Sequence, residues 1–102
     1  MTLEEFQQSI NTKKVPSHLS SPLVALWYDA QDDWDTAHDY AQQRSDAESA
    51  WVHAYLHRKE GDVNNANYWY VRANRTLPHQ RLAEEWKFIV QELLKKTSFT
   101  NA

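Results

Sequence analysis

Apolar residues recur along the chain at helical spacing, in blocks separated by short polar breaks. The last block is the clearest. Leu82, Trp86, Ile89, Val90 and Leu93 fall on one side of a helix predicted over residues 78–96. Upstream, the breaks carry residues that start and stop helices. Thr2-Leu3-Glu4-Glu5 reads as a capping box opening a short helix through about residue 10. Residues 11–21 read as a polar connector, and Ser21-Pro22 as a cap followed by proline at the first helical position. Asp33 can cap a third helix through "WDTAHDYAQQ". Ser45-Asp46-Ala47-Glu48 is a second capping box, opening the helix that carries His53 and His57. Gly61 can end that helix, and Asp62 can cap the next, through "VNNANYWYVRANR" up to Pro78. Residues 97–102 are expected to fray. Long β-branched runs are scarce, so the pattern predicts an all-α chain of five to six helices.

The middle of the chain repeats. "LWYDAQDDWDTAHDYA" aligns with "YLHRKEGDVNNANYWY" at an offset of 29 residues, with Asp33 on Asp62, Ala37 on Ala66 and Tyr40 on Trp69. Each unit reads as a helix, a tight turn and an antiparallel helix, and the small residue lets the two helices approach. The predicted domain is two stacked hairpins, over 22–44 and 45–77. A short capping helix at 1–10 and another at 78–96 cover the ends of the stack. So covered, the chain is expected to be one complete domain.

Gly61, Asp62, Ala66, Tyr70, Ala73 and Pro78 resemble the second half of a tetratricopeptide repeat, spacing for spacing. "YWYVRA" is similar to the tail of Sel1-like repeats. The longer stretch from Leu26 to Ala73 resembles a family of small, uncharacterised bacterial proteins, which brings no function with it. The repeat resemblance is specific over residues 54–78 and degenerate over 22–50. It implies a binding protein whose ligand lies in the groove lined by the first helix of each hairpin.

Composition removes several classes of function. With no cysteine, disulfides and thiolate metal sites are excluded. A single glycine leaves no room for a phosphate-binding loop or a dinucleotide fingerprint. A net charge of −3 with scattered basic residues argues against nucleic acid. No apolar run is long enough to span a membrane, and no secretory leader is evident, so a cytoplasmic location is expected. Five tryptophans and five tyrosines are too many for the surface of so short a chain, so most belong to the core.

Two sets of residues carry candidate chemistry. Trp51, Tyr55 and Arg58, at i, i+4 and i+7, share one face of their helix, with Lys59 at its rim. Two aromatic surfaces beside a guanidinium fork suit a peptide tail or a small anionic ligand. On the alternative reading the aromatics are core and Arg58 pairs with Asp29 or Asp33. His53 and His57, at i and i+4, share the opposite face and could hold one metal ion, with a third ligand from His38, Glu60 or Asp62. The repeat alignment instead turns both rings into the packing between hairpin helices. Asp29, Asp32, Asp33 and Asp35 lack the order of a calcium loop and read as turn and capping residues. The expected function is a non-enzymatic binding module built on Trp51, Tyr55, Arg58 and Lys59, without a cofactor, as a monomer or weak homodimer. The alternative is a small metal-dependent or acid–base enzyme using His53 and His57 with nearby carboxylates.

Overall fold

In the computed structural model, residues 1–100 are described, with side chains through Lys96. Six helices account for most of them: α1 (Leu3–Thr12), α2 (Ser21–Ala30), α3 (Trp34–Ala41), α4 (Ala47–Lys59), α5 (Val63–Arg72) and α6 (Leu82–Thr100). There is no strand among the described residues, and the chain is all-α as the periodicity predicts. α2 packs along α3 and α4 along α5, and the two hairpins meet through α3 and α4 and through α2 and α4.

The caps explain where most helices begin. Thr2 and Glu5 form the reciprocal capping box, at 2.9 and 3.1 Å. Asp33 accepts from the Thr36 amide, and Asp62 from the Asn65 amide, at the starts of α3 and α5. At α4 the cap is Asp46, bonded to the Ser49 amide at 2.8 Å, rather than Ser45. α2 starts one residue early, with Ser20 at its N-cap and Pro22 in the second position.

The two hairpin turns share their geometry. The Asp33 amide donates to the Tyr28 carbonyl, and 29 positions later the Asp62 amide donates to the His57 carbonyl. The residue before each of these aspartates is left-handed, Asp32 at φ 62° and Gly61 at φ 90°. Glycine adopts that conformation without strain, whereas a residue with a Cβ is penalised. Ala37 and Ala66, at matching positions, are both fully buried, which lets each hairpin close.

Two features at the C-terminal end depart from expectation. α5 stops at Arg72 because Asn74 turns left-handed at φ 61°, an asparagine termination that acts before Pro78 is reached. Residues 73–81 then form an irregular arm, and α6 begins at Leu82 instead of residue 78. α6 also continues through Thr100, beyond the frayed start expected at 97; residues 101–102 lie outside the described part.

The placement of α6 matters most for function. It packs on α1, α2 and α4. Trp86 donates its indole N–H to the Leu26 carbonyl at 3.1 Å, Phe88 meets Trp51 edge-on, and Glu85 reaches Arg58. α1 closes the same side, with Phe6 against Trp86, the Ser9 hydroxyl accepting from the Trp27 indole and the Ile10 carbonyl accepting from the Gln31 amide. α4 is thereby enclosed, and every residue from Ser49 to His57 is buried.

Replacing Gly61 by alanine introduces a Cβ that meets nothing within 4 Å, so only the backbone penalty remains. Urea unfolding of Gly61→Ala is expected to show a loss of about 1–2 kcal/mol, with asparagine there costing less.

Candidate functional site

α4 carries polar groups on two opposite faces, one under α6 and one toward α3 and α5. The first face holds the four residues expected to form a ligand groove. Trp51, Tyr55 and Arg58 do share a side, but α6 covers it. Trp51 is 5% exposed and Tyr55 3%. The Arg58 side chain, 18% exposed, donates to Glu85 Oε1 at 2.8 Å and to the Gln80 carbonyl. Its acid is therefore on α6, neither Asp29 nor Asp33, because α6 crosses Arg58 and Asp33 is engaged at the start of α3. Asp29 instead accepts from the Tyr55 hydroxyl at 3.2 Å and from Lys59 Nζ at 2.8 Å.

Two buried carboxylates thus each hold a tyrosine and a cation. Glu85, 1% exposed, takes Arg58 and also the Tyr70 hydroxyl. Asp29 takes Lys59 and Tyr55. Burial, with the adjoining carboxylate, pushes both tyrosine hydroxyls far above their ordinary range, so they stay neutral donors.

Three of the four expected residues line surface cavities, and Arg58 lines neither of the two that hold them. Tyr55 and Lys59 line one of about 370 Å³, together with Asp29, Trp86 and Lys87. Trp51 lines another of about 510 Å³, between α6 and the 73–81 arm, with Val71, Asn74, Arg75, Pro78 and Phe88. A third cavity of about 460 Å³ continues on the far side of Trp51 and Arg75, toward Glu48, Glu92 and Lys96. Arg75 stands between the last two, its guanidinium carbon 3.3 Å from the centre of the Trp51 ring. Sequence reasoning missed Arg75. It follows the Asn74 turn, outside any helical period, and no local signal places it over Trp51.

The second face of α4 holds the histidines. His53 stacks on Trp69 of α5 with ring centres 4.0 Å apart, and its Nε2 lies 2.9 Å from Nε2 of His38 on α3. His38 in turn stacks on Trp34. His57 Nδ1 lies 2.7 Å from Glu60 Oε2, and its Nε2 faces the Asn65 amide nitrogen at 3.4 Å. One ring nitrogen from each of His38, His53 and His57 falls within 4.8 Å of the other two. Both α4 histidines are buried, as the repeat alignment predicts, and His38 supplies the third imidazole. Burial, followed by the charges of His38 and His57, pushes His53 down to about 4. Burial and His57 also lower His38. Both rings are therefore neutral near pH 7, with a lone pair on one nitrogen each.

Comparison with family models, with curated proteins and with solved structures returned no match.

Arg58→Ala would leave Glu85 buried with only Tyr70 beside it. Its unfolding free energy is expected to fall by about 3–5 kcal/mol. A loss below about 1 kcal/mol, the size expected of an exposed ion pair, would show that Glu85 finds other compensation. For His53 the sign follows from its depressed folded-state pKa. Above the ordinary histidine range both the folded and unfolded forms are neutral, and stability is complete. As pH falls from about 6.5 toward 4, only the unfolded chain takes up the proton, so stability is lost over that window. Urea titrations with a chelator present should show this decline in wild type, reduced in His53→Gln.

Proposed function

We propose that this chain is a non-enzymatic binding module that holds a carboxylate-bearing peptide tail. The ligand would lie in the groove between α6 and the 73–81 arm. One observation carries this reading: the Arg75 guanidinium lies over the Trp51 ring between two open cavities and enters none of the ion pairs among the described residues. The neighbouring acids are already matched. Glu85 is held by Arg58, Glu48 by Lys96 and Glu92 by Lys95. Arg75 is thus the groove's uncompensated charge, and it favours an anion.

Stacking uses the face of a guanidinium and leaves its in-plane N–H groups free to fork onto a carboxylate. Trp51 fixes the plane of that fork from below, which lowers the ordering cost of binding. Val71, Pro78 and the half-exposed ring of Phe88 offer apolar walls for the side chain beside the carboxylate. The resemblance of residues 54–78 to a tetratricopeptide repeat agrees with a binding role. The face it assigns to the ligand is the one α6 covers, so the groove proposed here runs beside α6 instead. Of the four residues expected from sequence, Trp51 remains in this site. Arg58 supports it by holding α6 through Glu85, while Tyr55 and Lys59 bond Asp29 of α2.

The test uses short N-acetylated peptides ending in leucine, as free acid and as C-terminal amide. In two-dimensional amide NMR the acid is expected to shift Asn74, Arg75 and Phe88, and the amide to do so weakly. Arg75→Gln should weaken the acid by about tenfold or more, the loss of one charge-assisted contact. Equal shifts from acid and amide, or none at millimolar peptide, would overturn the proposal.

A further inference from the structure

The histidine face of α4 plays no part in peptide binding, yet it concentrates three of the chain's five histidines at one point. From this geometry we infer that His38, His53 and His57 form a site for a single borderline divalent cation of the zinc class, joining the two hairpins through α3 and α4.

The argument starts from the donors. Each imidazole presents one nitrogen to a common point, and these atoms lie within 4.8 Å of one another. An ion bound tetrahedrally at about 2.0–2.1 Å places its nitrogen ligands about 3.3 Å apart. The 2.9 Å approach of His38 and His53 is already near that spacing, and modest ring rotations would bring in His57. The His38 ring stands across the other two, at 84° to His53 and 71° to His57, so it faces the His53–His57 stack (27°) edge-on and can close the site from the α3 side.

The surroundings suit the same role. Glu60 lies on Nδ1 of His57, and a carboxylate there holds the proton on that nitrogen; Nε2, which faces the Asn65 amide nitrogen at 3.4 Å, would exchange that long contact for the ion. Trp69 and Trp34 lie against His53 and His38 and restrict their rotation. His53 and His57 are buried on α4, whereas His38 is partly exposed on α3, which gives an ion a route in. Three protein ligands leave one tetrahedral position for water. Imidazole nitrogens with no thiolate select zinc, nickel, cobalt or copper over calcium or magnesium, which need oxygen.

Packing alone also accounts for a 2.9 Å His–His contact, as an N–H···N hydrogen bond, so the test must separate packing from coordination. Full-length protein without a histidine tag, stripped with chelator, would be titrated with zinc by calorimetry and followed by thermal unfolding. The expected result is one equivalent bound at micromolar zinc with a raised melting temperature. Cobalt(II) substitution should give the intense visible bands of a tetrahedral site. His38→Ala should abolish binding, and Glu60→Gln should weaken it by about 10–100-fold. Both positions are partly or largely exposed, so these variants test the site even if His53→Gln does not fold. The control His18→Ala/His79→Ala should bind as wild type does. No saturable binding, binding unaffected by His38→Ala, or binding lost in the control would each overturn the inference. Because the control and ligand variants leave Arg75 and Trp51 untouched, the result is independent of the peptide groove.

Discussion

Glu85 is a carboxylate removed almost wholly from water, and it ties together three helices and the 73–81 arm. Arg58 of α4 and Tyr70 of α5 both donate to it, and Arg58 spends a second nitrogen on the Gln80 carbonyl. Bringing such an acid inside costs several kcal/mol in lost hydration, so the pair is a weak source of net stability. Its effect is on register. Sliding α6 by one turn, about 5.4 Å, would bury Glu85 and Arg58 without each other, whereas an apolar contact could simply exchange neighbours. Trp86 and Phe88 follow within the same turn and dock on Leu26 and Trp51. The charge sets where α6 sits, and the buried aliphatic residues Ile89, Val90, Leu93 and Leu94 supply most of the burial that holds it there.

That placement makes α4 the central helix of the molecule. A helix buried from Ser49 to His57 has no single polar face, so each polar side chain needs a partner from a neighbouring element. Apart from the Ser49 hydroxyl, which is buried without a hydrogen-bond partner among the described residues, the demand is met in two sets. Under α6, Tyr55, Arg58 and Lys59 take the carboxylates of Asp29 and Glu85. Toward α3 and α5, His53 and His57 take His38, Glu60 and Asn65. The small residues Ala50 and Ala54 leave room for neighbours to approach closely enough for both sets to form.

Local physics was legible in the sequence, and long-range pairing was not. The helices, the aspartate caps at 33 and 62 and the left-handed Gly61 all follow from residues a few positions apart. The stripe on α6 showed that this helix packs, but an apolar stripe does not specify its target. Its path depends on an irregular arm that Asn74 starts and no period describes. Hence the acid expected for Arg58 is Asp29 or Asp33, upstream in the adjoining hairpin, whereas its partner is Glu85, downstream on α6. Asp32 shows the same limit at short range. A left-handed aspartate is uncommon and nothing local announces it, yet the backbone at Asp32 turns as it does at Gly61. His53 and His57 could be paired by their spacing. His38 entered only as one of three candidates until the packing of α3 on α4 was known.

Both candidate sites join a buried group on α4 to a more exposed group on a neighbouring element. Trp51 lies beneath Arg75, and His53 and His57 lie beneath His38. The division has a physical basis. A side chain packed on all sides has few rotamers and holds its direction, which is what ligand geometry requires. A site made only of such side chains would admit nothing. The more exposed member supplies access and, because it can move, the final adjustment to whatever binds. It also explains why the inner half of each site could be read from the periodicity of one helix. The outer half became visible only when the helices were brought together.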